Sequence, residues 1–94
     1  MYNKKYRCTK IEELYNRNNP LHDAVMGNEC YLAYLNVGER GWFLYNAQDW
    51  YGSYAHRVHT SVIRDVKYND NQVIVITENT KYVFDLIVEG DSND

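Results

Sequence analysis

From residue 60 onward, apolar and polar positions alternate with a period near two. Val62, Val66 and Tyr68 fall on one face of a first run, 60–68. A polar break follows at Asn69-Asp70-Asn71, then the unbroken apolar stretch Val73-Ile74-Val75-Ile76, then a second break at Glu78-Asn79-Thr80. In the last run, 81–88, Tyr82, Phe84 and Leu86 share one face, opposite Lys81, Val83 and Asp85. Alternation marks strands, Asn/Asp clusters mark turns, and a strand covered on both faces loses its polar positions. The pattern predicts a three-stranded antiparallel meander with 73–76 as its central strand. Upstream, 30–37 and 42–47 read as a hairpin across the turn Gly38-Glu39-Arg40-Gly41, with apolar groups on both faces.

The period differs near the N-terminus. Ile11, Leu14 and Tyr15 stand at helical spacing, and Thr9 with Glu12 fits a capping box. Residues 10–17 therefore predict a short amphipathic helix, stopped at Asn18-Asn19-Pro20. Asn19 caps a second helix, Pro20 opens it, and Gly27 closes it. Residues 1–8 read as the start of a short edge strand or as partly loose, and 90–94, which lack apolar side chains, as a disordered tail. The expected class is α+β. Two short N-terminal helices precede a five-stranded antiparallel meander, curled into an SH3-like small barrel or a strongly curved sheet.

Composition adds two points. The 94 residues make one domain, 1–94, which at this size buries roughly 60–65% of its unfolded surface and holds one core. Tyrosine is overused, with ten Tyr against two Phe and two Trp. Tyr pairs a large ring with a polar tip, which suits partly exposed surfaces. The net charge of −3 disfavours binding driven by phosphate neutralisation. Residues 1–21 are nevertheless basic and 85–94 acidic, so these stretches are solvated or lie against each other. Two cysteines make no disulfide framework, and no apolar run is long enough to cross a bilayer. The reading is cytoplasmic, with reduced thiols and no membrane partner.

Candidate chemistry is sparse. His56 and His59 are three apart, which on a strand places them on opposite faces. Adding Cys8, Cys30 and His22 assembles a zinc-like set without the close Cys pair such sites use. Cys30 with His56 or His59 could act as nucleophile and base, but a cysteine among apolar residues is more often an inert buried thiol. No glycine-rich phosphate loop is present. The expectation is a non-enzymatic protein with no cofactor and no metal. The best candidate site is the aromatic segment Asp49-Trp50-Tyr51-Gly52-Ser53-Tyr54. Trp50, Tyr51 and Tyr54 would anchor a partner, with Arg57, Arg40 and His56 as donors beside them. The competing explanation is that one of these rings plugs the barrel end.

The run Thr60-Ser61-Val62-Ile63, with Val66 and then Val73 through Thr77-Glu78-Asn79-Thr80-Lys81-Tyr82-Val83-Phe84, resembles a known pattern. The pattern occurs in small uncharacterised proteins of Gram-positive bacteria, their phages and mobile elements. It reads Thr-Ser-x-Val, a β-run, then Thr-x-Asn-Ser-x-Tyr-x-Phe. Ile63 stands in place of its Val and Thr80 in place of its Ser. With Val37-Gly38-Glu39-Arg40 the resemblance covers about half of the chain, and it carries no assigned activity. It implies a phage-type accessory protein in a bacterial host cell that acts by binding. The first reading is an anti-defence inhibitor docking on a host protein such as a CRISPR effector. The alternative is an oligomeric sponge for a nucleotide signal. A single-stranded nucleic-acid module, stacking bases on Trp and Tyr beside Arg57 and Arg40, comes third.

Overall fold

A strand occupies the segment expected to form the first helix. The computed structural model describes residues 4–14, 20–45 and 56–87. In it, β1 (Tyr6–Glu13) runs antiparallel to β6 (Thr80–Leu86), from Tyr6 opposite Leu86 to Glu13 opposite Thr80. The helical spacing of Ile11 and Leu14 does not outweigh that ladder. A two-turn helix is marginal in water, whereas β6 without β1 exposes a row of unpaired backbone groups. The pairing also sets Arg7 opposite Asp85 in register, while the Arg7 guanidinium reaches Gly27 and Glu29 and the Asp85 carboxylate accepts from Gln72.

Five further elements complete the described chain. They are α1 (Pro20–Val25), β2 (Glu29–Tyr34), β3 (Arg40–Tyr45), β4 (His56–Tyr68) and β5 (Gln72–Thr77). The strands pair in sequence order and close into a barrel, β1-β2-β3-β4-β5-β6. The α+β expectation of two helices and a five-stranded meander is therefore overturned. The fold is an all-β, closed, six-stranded antiparallel barrel, and its only helix among the described residues has six residues. That helix begins at Pro20 as expected. It ends at Val25, and the turn beyond it contains Gly27, whose φ of +81° suits glycine and whose N–H donates to the Cys8 carbonyl at 2.8 Å. Residues 6–8, within the segment expected to start a short edge strand or be partly loose, lie in β1, while the expected tail 90–94 lies outside the described residues.

Strand β4 belongs to both halves of the barrel. It faces β3 from His56 opposite Tyr45 to Val62 opposite Arg40, and β5 from Ile63 opposite Thr77 to Tyr68 opposite Val73. Register shifts between Arg40 and Trp42, and between Ile63 and Asp65, let it bend. The second shift also changes which residues face inward. Ile63 is fully buried, Val66 is half-buried, and Tyr68 is 67% exposed. The strict alternation expected for Val62, Val66 and Tyr68 is broken there.

The core is a cluster of rings. Phe43 meets Phe84 edge-on at 5.2 Å between centroids and Tyr82 at 5.6 Å, while Tyr82 and Phe84 stack at 6.0 Å. Val58, Val73, Val75 and Cys8 surround them, and Val25 of α1 plugs the barrel from the side, fully buried. In the β2–β3 hairpin Leu32 lies opposite Phe43 and Tyr31 opposite Leu44; a shift between Leu32 and Tyr34 then turns Tyr34 outward, opposite Trp42. Gly41 sits where β2 approaches closely. A Cβ there would lie 2.5 Å from the Tyr34 carbonyl oxygen and 2.6 Å from Ile63 Cδ1.

The Thr77-Glu78-Asn79-Thr80 motif is a turn device. The buried Thr77 hydroxyl accepts the N–H groups of Asn79 (3.3 Å) and Thr80 (3.0 Å) and donates to the Thr80 carbonyl at 3.0 Å. One side chain thus fixes the β5–β6 connection, which explains a Thr at that position without reference to any ligand.

Candidate functional site

The outer face of the β2–β3–β4 sheet carries a second apolar cluster, formed by Tyr31, Leu44 and the half-buried Trp42. Arg57, opposite Leu44 in register, sets its guanidinium carbon 4.5 Å from the centre of the Trp42 ring. At this distance the cation is attracted by the ring face and its orientation is fixed. His56 stacks on Tyr45, with centroids 5.0 Å apart and planes 26° from parallel. Both contacts lie at the strand ends that flank residues 46–55. Trp50, Tyr51 and Tyr54 fall in that segment and lie outside the described residues.

Of the expected donors, Arg57 and His56 stand at one end of the β3–β4 ladder but on its opposite faces. Arg40 is exposed at the other end of β3, opposite Val62. Over that many residues a strand advances roughly 16 Å, so the three donors do not form one cluster.

A buried polar network lies where α1 meets β1 and β6. His22 Nδ1 bonds to the Glu13 carboxylate, and its Nε2 is 3.2 Å from the Tyr82 hydroxyl. Burial pushes the Tyr82 phenol up to about 12, so it keeps its proton at neutral pH. The Glu13 carboxylate can only accept, so His22 donates to it from Nδ1. A cavity of about 110 Å3 adjoins the network, lined also by His59, Ser61 and Asn79. Among the described residues no buried side-chain polar atom lacks a hydrogen-bond partner. The network therefore satisfies itself and ties α1 to the barrel. Sequence reasoning missed it because its members stand far apart in the chain and Glu13 was assigned to a helix. A histidine in so short a helix was the only hint.

The cysteine chemistry resolves in favour of inert thiols. Burial pushes the Cys8 thiol up to about 11 and the Cys30 thiol up to about 12, so neither is a thiolate at neutral pH. Cys30 is fully buried. The histidines considered as its base point elsewhere, His56 to Tyr45 and His59 to the Glu13–His22 cavity. Among the described residues, no group of three or more His, Cys, Asp or Glu side chains is placed to hold a metal ion, and no helix is long and apolar enough to cross a membrane.

Comparison with protein families, with curated proteins and with solved structures gives no match. The geometry of the barrel is the ground on which a function can be argued.

Proposed function

We propose that this is a non-enzymatic binding protein that docks on a protein partner through the outer face of β3 and β4. The observation that carries the reading is the exposed Arg57 guanidinium held over the half-buried Trp42 ring, which packs against the buried Tyr31 and Leu44. Trp, Tyr and Arg are the residues that dominate protein-binding hot spots. A cation already oriented on an indole loses little side-chain freedom when a partner arrives. His56 stacks on the buried Tyr45, on the opposite face of the ladder from Arg57, and Trp50, Tyr51 and Tyr54 of the adjoining segment supply three further anchors in the sequence.

The partner class rests on the resemblance to small proteins of Gram-positive bacteria and their phages. It favours a host defence protein, such as a CRISPR effector, inhibited by occlusion in the bacterial cytoplasm. The test is phage interference in a bacterium with an active CRISPR effector, with and without this protein, paired with co-purification of the effector. Inhibition should vanish in Arg57→Glu and in the double variant Trp50→Ala/Tyr51→Ala, with the melting temperature unchanged. No relief of interference and no complex would refute the partner class. A large fall in melting temperature for these variants would instead assign the side chains to packing.

A further inference from the structure

The far end of β4 carries a different feature. Among the described residues the exposed large apolar side chains are Leu14, Met26, Tyr34, Val37 and Tyr68, and only Tyr34 and Tyr68 are aromatic. Both line the same opening, an open cavity of about 290 Å3 at the barrel end, together with Tyr6, Leu35, Asn36 and Val73. Neither ring belongs to the apolar clusters that hold the barrel together. Packing does not account for them, since a strand end tolerates a Thr or Lys where Tyr68 stands 67% exposed.

We propose that this barrel mouth binds a single planar heteroaromatic ring of the nucleobase type. Barrel mouths are a recurrent place for small-molecule sites, and this volume is near the lower end of the roughly 300–1,000 Å3 such sites occupy. It has room for one base with its sugar. Tyr6, Tyr34 and Tyr68 offer π faces, and a nucleobase stacks on such faces whatever its identity. Tyr34 is held in place, because its hydroxyl donates to Glu39 Oε1 at 2.7 Å. The Tyr6 phenol is pushed up first by burial and then by the neighbouring Tyr68, so these two rings share the opening. Asn36, whose carboxamide donates to the Tyr34 hydroxyl, adds its carbonyl oxygen as an acceptor for a base edge. Leu35 and Val73 supply apolar walls. With a net charge of −3, the site reads the ring rather than a chain of phosphates.

The site does not depend on the docking face around Trp42 and Arg57, although Tyr34 stands opposite Trp42 in register. The test is titration of 15N-labelled protein, with 13C-labelled tyrosines, with adenosine, using ribose as the control. Adenosine should give saturable shifts at Tyr6, Tyr34, Asn36 and Tyr68 and leave Arg57 and His56 unmoved, while ribose gives none. Tyr68→Ala should weaken adenosine about tenfold, as expected for one stacking face, at an unchanged melting temperature. Tetra-adenylate separates two sources of the same ring. Affinity equal to adenosine marks a free nucleoside, and affinity raised about tenfold or more marks a base presented by a strand; both support ring recognition. The proposal is overturned by an absence of saturable shifts up to the solubility limit of adenosine, by equal shifts with ribose, or by shifts confined to the Trp42–Arg57 face. Self-association that Tyr68→Ala abolishes, without any adenosine effect, would likewise overturn it and assign the mouth to a second copy of the chain.

Discussion

Replacing Thr77 by valine isolates the turn device that joins β5 to β6. The shapes of the two side chains match, but the hydroxyl does not survive. Its loss strands the Asn79 N–H, the Thr80 N–H and the Thr80 carbonyl. The two Thr80 groups belong to a residue only 5% exposed, so water cannot replace the lost partner there. The Asn79 N–H is half-buried and can recruit water. Each buried group left unsatisfied costs about 1–3 kcal/mol, and the added methyl returns roughly 0.8 kcal/mol. The net loss is therefore about 2–4 kcal/mol. In a domain of this size, that lowers the melting temperature by roughly 10–25 °C. Thr77→Ser keeps the hydroxyl and loses one methyl, at a cost of about 1 kcal/mol. Urea and thermal melts followed by circular dichroism measure both variants. If the valine variant matches the wild type to within about 0.5 kcal/mol, or is no worse than serine, the hydroxyl is not what holds the turn.

Three further outcomes follow from the barrel interior. Gly41→Ala forces a methyl against the Tyr34 carbonyl and Ile63; because one of the two is backbone, the variant should lose about 1–3 kcal/mol in a urea melt. His22→Phe leaves the Glu13 carboxylate and the Tyr82 hydroxyl without their shared partner, and should cost about 2–3 kcal/mol by the same assay. Alkali should destabilise the fold. Cys8 rises from 9.0 to about 11, Cys30 from 9.0 to about 12, and Tyr82 from 10.0 to about 12. All three hold their protons longer in the folded state, so the stability they contribute is intact below pH 9 and is lost as pH climbs from about 9 to about 12. Melting temperature measured across that range should fall steadily, and Cys30→Ala should flatten the fall.

The meander was legible because β4, β5 and β6 announce themselves by composition. The two breaks at 69–71 and 78–79 are turns, and β5 lies between its neighbours with Val73, Val75 and Thr77 turned inward. Gly27 and Pro20 also bounded a helix correctly. Strand β1 was not legible. Its local signals, Thr9 with Glu12 and the Ile11–Leu14 spacing, favour a helix, and the force that overrides them is the open edge of β6 far along the chain. Local periodicity carries no record of that demand. The bulges were hidden for a related reason. A one-residue shift between Ile63 and Asp65 sets Ile63 on the same inner face as Val66 and Tyr68, so alternation counted along the chain wrongly groups Val62 with them. Of the residues expected at the site, Arg57 and His56 make ring contacts in the fold. Their ring partners Trp42 and Tyr45 were not legible, because cross-strand register decides which rings a cation meets.

The β1–β6 ladder governs how this protein comes to be folded. Every other strand pair joins neighbours in sequence, whereas this one brings Tyr6 to Leu86 and Glu13 to Thr80. Closing a loop that long, in place of a hairpin's, adds about 2 kcal/mol of chain entropy to the barrier, and such distant pairings slow folding. The hairpins from β2 to β6 can assemble while β1 waits. During synthesis the barrel cannot shut until β6 has left the ribosome, and until then the strand destined to meet it is an unpaired edge.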